Sequence, residues 1–431
     1  MKKNCLFILL LLGFSISTFA QNDTLKIMQY NLLNYGNNTG YCNTTNNNVN
    51  DKNGYIRTIL TAYYPDILTV CEMGKSSSLP NDFLSNNLNI NGYNFWMTRA
   101  GTNTTSSNSS LVNCIFYNST KLTLVGQHTA QNTTRDVDVF DFRFKNDESG
   151  DIVLTCVIAH LKAGSSSDDA NKRKVMADNT MNYLESNYRE KNVLIMGDFN
   201  LYTSQEPAYQ AFTNQSAYPD SYFIDPLYDY GVGNWNNNSA FASYHTQSTH
   251  KENDSGCASS GGMDDRFDFI LMSENIYGGR DHIRYIGGSY NALGNDGNRF
   301  NKSINNPVNH EVSQAVADAL YNNSDHIPVT MELLVSYNDG NNELNSNVLS
   351  FDIFPNPASK EVNIRFYQDN IGKANISLIN TLGQTVYSDN VFVNDCLGEY
   401  VVSVENFPKG MYFLKITNAD GLTNTSKIIV E

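Results

Sequence analysis

The chain has 431 residues, 40% hydrophobic and only 17% charged, with 44 acidic against 29 basic residues and a formal net charge of −15. That is enough apolar material for a sizeable core and enough length for two or three domains, which excludes a wholly disordered chain. An acidic balance without any Lys/Arg run excludes tight nonspecific binding of nucleic acid through bulk charge, though not its hydrolysis at a site screened by cations.

Lys2 and Lys3 precede an apolar run over 5–14 and then the small residues Thr18 and Ala20. This pattern predicts an export signal over 1–20, cleaved before Gln21. The run is too short to span a bilayer, and no later stretch reaches ~18 apolar residues, so no stable membrane insertion of the mature chain is expected.

Residues 21–336 are expected to form one α/β domain. Strand-like runs at 26–32, 67–72, 112–117, 152–160, 193–197, 267–272 and 329–335 are short, apolar and rich in β-branched residues, as strands buried on both faces are. Helices are predicted over 53–64, which leads into Pro65, and over 168–188, where Val175, Met176 and Met181 fall at helical spacing. Polar loops intervene at 37–50, 101–110 and 246–262. Residues 337–349 read as a linker. Residues 350–431 give alternating strands at 362–366, 374–379, 385–388, 400–404, 411–417 and 426–430, the pattern of a small β-sandwich.

Six cysteines follow Cys5, none with CxxC spacing. Cys71, Cys114 and Cys156 lie in apolar runs and read as buried free thiols. Cys42 and Cys257 lie in polar loops and could pair in an oxidising compartment.

Polar groups recur at strand ends. Asn31 follows the first run, Glu72 the second, and His160 closes another; Asp198 and Asn200 follow 193–197, Asp268 lies within 266–271, and Asp325 and His326 precede the last run. An isolated buried charge is costly, so so many strand-end carboxylates suggest one shared crevice. Hard oxygen donors favour Mg²⁺ or Ca²⁺ over zinc, and neutral histidines move protons near pH 7. Both histidines are expected to line an open crevice. His245, His250 and His310 read as bystanders in polar loops. Tyr93, Trp96 and Trp235 read as core or loop packing, and Lys162 and Arg173 as either phosphate contacts or solvated charges.

At these residues the chain resembles the endonuclease/exonuclease/phosphatase superfamily, which includes deoxyribonuclease I. The resemblance is carried by Tyr-Asn at 30–31, Pro-Asp-Ile at 65–67 with Glu72, His-Leu-Lys at 160–162, Gly-Asp-Phe-Asn at 197–200, Arg-Phe-Asp at 266–268 and Ser-Asp-His-Ile-Pro at 324–328. It implies a four-layer α/β sandwich with two packed mixed β-sheets and metal-dependent hydrolysis of phosphate esters. It implies Glu72, Asn31 and Asp325 as metal ligands, with Mg²⁺ as the cofactor and Mn²⁺ or Ca²⁺ as alternatives. Asn31 and Asn200 would bind the phosphate. His160, Asp198, Asn200, Asp268 and His326 form the expected catalytic set, with Asp268 orienting His326; Asp265 offers a rival alignment for that partner. The loop over 102–110 falls where relatives contact nucleic acid, and its composition also fits a plain loop.

Residues 351–431 resemble the type A sorting domain of the Bacteroidetes type IX secretion system through Pro-Asn-Pro at 355–357, Leu-Gly-Gln at 382–384 and Lys-Gly-Met-Tyr at 409–412. The resemblance implies export through periplasm and outer membrane to the surface or the medium, the secretion machinery as a partner, and removal of the domain. The expected protein is a secreted, monomeric phosphodiesterase, in first place an endonuclease on extracellular DNA or RNA. The alternatives are a sphingomyelin or phospholipid phosphodiesterase, a phosphomonoesterase and an inactive surface-binding module.

Overall fold

In the first strand, neighbouring side chains go to opposite layers: Ile27 joins a core between two sheets, while Met28 joins a core beneath helices. That period-2 division of an apolar run is how a strand buried on both faces organises a layered fold. The computed structural model describes residues 22–105, 109–228, 232–253, 256–337, 349, 351–354, 356–367, 372–393, 397–419 and 421–430. The expected signal over 1–20 and nearly all of the expected linker over 337–349 lie outside them.

The first domain contains strands β1 (Asn22–Tyr35), β2 (Ile67–Gly74), β3 (Trp96–Ala100), β4 (Leu111–Asn118), β5 (Leu122–Gln131), β6 (Val137–Phe144), β7 (Val153–Ala159), β8 (Val193–Asp198), β9 (Phe223–Ile224), β10 (Asp268–Ser273), β11 (Ile283–Tyr285), β12 (Asn291–Ala292) and β13 (Val329–Ser336). Its main helices are α1 (Val49–Ala62), α2 (Leu79–Phe83), α3 (Ser167–Asn187), α4 (Pro207–Thr213), α5 (Glu274–Gly278) and α6 (Gln314–Asn323). One sheet runs β11-β13-β1-β2-β4-β3, with β12 beside β13; the other runs β5-β6-β7-β8-β10-β9. Each sheet is mixed, with a central parallel pair, β1 with β2 and β7 with β8, between antiparallel neighbours.

Three apolar clusters define four layers. Ile27, Cys71 and Ile115 of one sheet meet Phe140, Cys156 and Met196 of the other. The outer face of the first sheet packs Met28, Tyr30 and Leu68 on Ile56, Ile59 and Leu320 of α1 and α6. The outer face of the second packs Val157, Ile195 and Phe269 on Met176 and Met181 of α3 and Phe212 of α4. The expected sandwich is present, and the three free thiols are buried as expected. Val175 is 48% exposed and stands on the solvent side of α3, one residue from the buried Met176. Caps explain why both long helices begin earlier than their apolar spacing suggests. Asn48 accepts from the Asn50 N–H ahead of α1, and Ser166 accepts from the Asp169 N–H ahead of α3.

The C-terminal domain is all β: β14 (Phe351–Phe354), β15 (Glu361–Tyr367), β16 (Gly372–Asn380), β17 (Thr385–Val393), β18 (Leu397–Ser403), β19 (Gly410–Thr417) and β20 (Thr423–Val430). Antiparallel sheets β14-β15-β18 and β17-β16-β19-β20 enclose a core that includes Ile364, Ile376, Leu378 and Leu414. Among the described residues, no helix is long and apolar enough to cross a membrane.

Candidate active site

The two parallel pairs end at the same seam. Asn31 lies in the last part of β1 before its register breaks, and Glu72 stands at a bulge where the pairing of β2 with β4 shifts. From the other sheet, His160 immediately follows β7 and Asp198 closes β8. The antiparallel β10 then starts with Asp268 paired to Asp198. Ser324, ahead of β13, donates its Oγ–H to the Asn31 carbonyl at 2.7 Å and so fixes Asp325 and His326 against the end of β1.

The backbone here is unusual. Glu72 and Asn200 have φ of +61° and +52°, as do Leu33 and Asn34 at +46° and +51°. Left-handed non-glycine residues cost of order 1–3 kcal/mol and persist where surrounding structure over-determines them, often at functional sites. A bulge also re-aims a side chain, here that of Glu72. Gly197 has φ +150°, and a Cβ there would stand 1.8 Å from the Ala159 carbonyl oxygen, so the close approach of β7 and β8 requires glycine.

Asn31 Nδ2 donates to Glu72 Oε1 at 3.2 Å and to Asp198 Oδ2 at 3.0 Å, bridging the two sheets. His160 Nε2 lies 3.7 Å from Glu72 Oε1 and 3.5 Å from Asp198 Oδ2. The ligand atoms of Glu72, His160 and Asp198 all fall within 4.8 Å of one another. Opposite them, His326 Nδ1 is 2.7 Å from Asp268 Oδ2, and its Nε2 is 3.8 Å from Asp198 Oδ2. Asn200 N–H donates to Asp198 Oδ1 at 3.0 Å. The two carboxylates, converging with the Asn31 amide between them, are oxygen donors that suit a hard divalent cation, and the imidazole stands beside them. Asp325 points its Oδ2 at the Ser259 N–H (2.9 Å) and the Gln247 amide (3.3 Å), apart from that trio. Its Oδ1 and that of Asp268 are buried without a protein partner, a donor set that a cation or a polar substrate would complete.

The two histidines are driven apart electrostatically. Burial, with Arg135 and His326 nearby, holds His160 well below the usual imidazole range and therefore neutral. Burial also opposes charge on His326, but the Asp268 and Asp198 carboxylates outweigh it and raise its pKa well above that range. Burial, reinforced by Asp268 and Glu72, pushes Asp198 up to about 7 although His326 pulls it down. Lys52, 1% exposed, is lowered to about 7 by burial against the pull of Asp325 and Glu72. Its ammonium donates to Asn47 Oδ1 at 2.8 Å and to the carbonyl of Asn323.

One expectation concerns metal-free protein. A carboxyl raised in the folded state binds more protons folded than unfolded, so its contribution to stability falls as pH climbs from the ordinary 3.8 through about 7. Divalent cations need the ionised ligand. Mg²⁺ should therefore raise Tm more at pH 8 than at pH 5.5, as read by differential scanning calorimetry. Equal increments at both pH values would separate Asp198 from cation binding.

Every strand-end residue singled out in the sequence reaches this seam, and Asp268 rather than Asp265 meets His326; Asp265 pairs with Asn236 at 2.6 Å. Both histidines, however, are buried, at 4% and 3% exposure, rather than lining an open crevice. Arg173 is a structural clamp: it holds Glu206 through Nε and Nη2 at 2.9 and 2.7 Å and donates to the carbonyls of Lys162 and Gly164. Lys162 pairs with Asp169 at 2.8 Å. His245 and His250 are buried, His250 against Tyr321, so only His310 of the three bystanders is a surface residue. Trp96 and Trp235 are core, as expected.

Sequence reasoning passed over Asn34, which gives Glu72 Oε2 its N–H at 3.0 Å and its Nδ2 at 3.3 Å. It also passed over Gln247, whose amide lies 2.7 Å from His326 Nε2. The left-handed turn of Asn34 has a weak sequence signal, since Asn tolerates that region; Gln247 has none.

Two mixed sheets that deliver acid, amide and imidazole groups to one seam form a site suited to the hydrolysis of phosphoric esters. Residues 28–326 match the Endonuclease/Exonuclease/phosphatase family, and the chain belongs to that family, whose members generally depend on divalent metal. Residues 352–431 match the Secretion system C-terminal sorting domain of the type IX system, which directs export to the cell surface or the medium. Among solved structures, a family protein from Bacteroides thetaiotaomicron is 15% identical with a TM-score of 0.46, covering 75% of this chain and 100% of its own. The human Nocturnin catalytic domain with bound sulfate is 15% identical with a TM-score of 0.44, over 73% and 97%. The mannosyl-6-phosphatase of Bacteroides thetaiotaomicron is 15% identical with a TM-score of 0.43, over 72% and 99%. No curated protein matches the chain.

Proposed function

We propose that the protein is a secreted, divalent-metal-dependent phosphodiesterase, and specifically a nuclease that cuts extracellular DNA endonucleolytically. The observation that carries this reading is the convergence of Glu72, His160 and Asp198 within 4.8 Å, facing a His326–Asp268 pair. Mg²⁺ or Mn²⁺ would be held by the carboxylates of Glu72 and Asp198 with Asn31 as the amide between them, His160 standing beside the cation with its Nε2 left for proton transfer, while Asp325 supports His326. Bound there, the cation would neutralise charge on the phosphate and stabilise the transition state.

The chain's own groups supply the rest. Asp198, fixed by the Asn31 amide and the Asn200 N–H, orients the attacking water. Asn200, buried beside Asp198, holds the phosphate. A pair of groups with opposed pKa shifts marks acid and base. Imidazolium His326 carries a proton on Nε2, toward which the Gln247 amide turns its oxygen, and gives it to the leaving oxygen, while neutral His160 accepts or relays one at Nε2. Asp268 keeps the His326 ring in place through Nδ1. The polar loops over 37–50 and 246–262 favour a hydrated polymeric substrate over a lipid surface, which calls for an apolar protrusion.

The test is a substrate panel. Purified protein is incubated with supercoiled plasmid, RNA, sphingomyelin vesicles and the phosphomonoester p-nitrophenyl phosphate in Mg²⁺. Nicking of plasmid at the highest turnover supports the nuclease reading; hydrolysis of sphingomyelin alone, or of a phosphomonoester alone, replaces it.

Export makes a separate expectation. The secreted enzyme should lack residues 1–20 and the sorting domain, which intact-mass analysis of culture supernatant reads directly. Deleting 350–431 should retain the protein in the periplasm with activity intact. A secreted species that keeps 351–431 in full would make that domain an attached module instead.

A further inference from the structure

Cys42 and Cys257 form a disulfide between two segments 215 residues apart in sequence. Each half stands beside a group that holds a site carboxylate. On the first side, Asn34 Nδ2 lies 3.8 Å from Cys42 Sγ, and Asn34 is the residue whose N–H and amide clamp Glu72 Oε2. Cys42 is itself pinned to Thr39, whose N–H donates to its carbonyl at 2.7 Å and whose Oγ accepts its N–H at 2.8 Å. On the second side, the Ser248 N–H meets the Gly262 carbonyl and the Gly262 N–H meets the His250 carbonyl, both at 2.9 Å, forming a hairpin with Cys257 near its far end. Two residues past Cys257, the Ser259 N–H donates to Asp325 Oδ2 at 2.9 Å. At the hairpin's base, Gln247 touches both Asp325 and His326. One covalent bond therefore ties the clamp on Glu72 to the clamp on Asp325.

We propose that the Cys42–Cys257 disulfide, acting through Asn34 and Ser259, is a positioning element that sets the site's carboxylates for cation binding, so that the site is fully assembled only in the oxidised, exported protein. The inference rests on the reading of Glu72 as a cation ligand. In the reduced chain the hairpin end is tied to the Asn34 loop by no covalent bond, and the coupling between the two clamps loosens to hydrogen bonds such as that of Ser324 to the Asn31 carbonyl. Groups that orient metal ligands from behind are worth 10–100-fold in metal affinity. Oxidation is balanced when the two thiols give two electrons and two protons to a disulfide oxidant, for which glutathione disulfide serves in vitro and leaves as two glutathione thiols.

The test uses full-length mature protein in three states: oxidised, reduced, and the Cys42→Ser/Cys257→Ser double variant. Mn²⁺ binding is read by electron paramagnetic resonance of the free ion, which needs no turnover. Steady-state kinetics follow at 10 °C, where circular dichroism verifies a folded chain. Reduction and the double substitution should each weaken Mn²⁺ binding ~10-fold or more and lower kcat, with KM within about twofold. Glutathione disulfide should restore the reduced wild type and leave the double variant unchanged. Asn34→Ala, with the disulfide intact, should weaken Mn²⁺ in the same direction. Wild-type Mn²⁺ affinity in the reduced and double-variant proteins, whatever their melting temperature, would overturn the proposal and leave the bond a stability staple. No Mn²⁺ binding by the oxidised wild type overturns the cation reading and the proposal together, and the two failures are told apart by that one sample.

Discussion

Glu72→Gln should lower phosphodiesterase turnover by ~10³-fold or more and abolish tight Mn²⁺ binding, because a carboxylate at the centre of a cation site supplies several kcal/mol of transition-state charge stabilisation and each ~1.4 kcal/mol is tenfold in rate. The substitution keeps the side chain's shape at a position where the backbone is already committed to φ +61°. It retains one carbonyl oxygen for the donors of Asn31 and Asn34 that now meet the carboxylate. It also removes a negative charge that helps push Asp198 up to about 7. Metal-free Glu72→Gln should therefore melt no lower than the metal-free wild type, while losing the rise in Tm that Mg²⁺ gives. A variant that unfolds, or one that keeps its Mg²⁺ response, would show that Glu72 holds the fold rather than the cation.

His326→Ala should cut turnover at least ~10²-fold, the lower range for a group that transfers a proton in the transition state. Its burial adds a second effect. Removing it leaves Asp268, 0% exposed, without its partner, and breaking a buried pair costs about 3–5 kcal/mol. Rates must accordingly be normalised to folded protein at low temperature, and His326→Gln, which keeps a donor toward Asp268, separates the two effects. Because the folded-state pKa of His326 is raised, its stabilising charge is fully present below the unfolded value near 6.5 and is lost as pH rises through the folded value. The wild type minus His326→Gln difference in Tm should thus shrink toward alkaline pH. His160→Ala should also cost at least ~10²-fold. Asp268→Asn should weaken activity less, because it misorients the ring without deleting it. His310→Ala, at the surface, is the control; His250 is too deeply packed against Tyr321 to serve.

What the sequence reveals and what it hides divide along a physical line. Strands at the centre of each sheet are buried on both faces, so they read as unbroken apolar runs, and a polar residue at the end of such a run stands out. Asn31, Glu72, His160 and Asp198 were all visible that way. The edge strands β3 and β5 carry mixed faces, and β6 alternates Asp138 and Asp141 with Val139, Phe140 and Phe142, so none of them reads as an apolar run. Helix α6 is only ten residues long and starts from a Ser313 cap after a polar loop, which left it unread. The clamps at Asn34, Gln247 and Ser259 act through backbone N–H groups and short polar side chains, types that are ordinary in any loop. The pairing of Cys42 with Cys257, which sequence could suggest but not establish, joins the Asn34 loop to the loop that carries Ser259. The depth of the two histidines was hidden for a related reason. His326 meets Gln247 and Asp268, and His160 shares a pocket wall with Asn113, Arg135 and Asp136, all from distant parts of the chain.

The most direct test is a time course of supercoiled-plasmid nicking by the purified secreted protein, measured in Mg²⁺, after exhaustive EDTA treatment, and after Mg²⁺ or Mn²⁺ is restored. Nicking should proceed in Mg²⁺, cease on chelation and return in full with the added cation, with Glu72→Gln silent in all three conditions. Undiminished nicking after chelation, or equal nicking by Glu72→Gln, would contradict a cation-assisted hydrolysis at the seam of the two sheets.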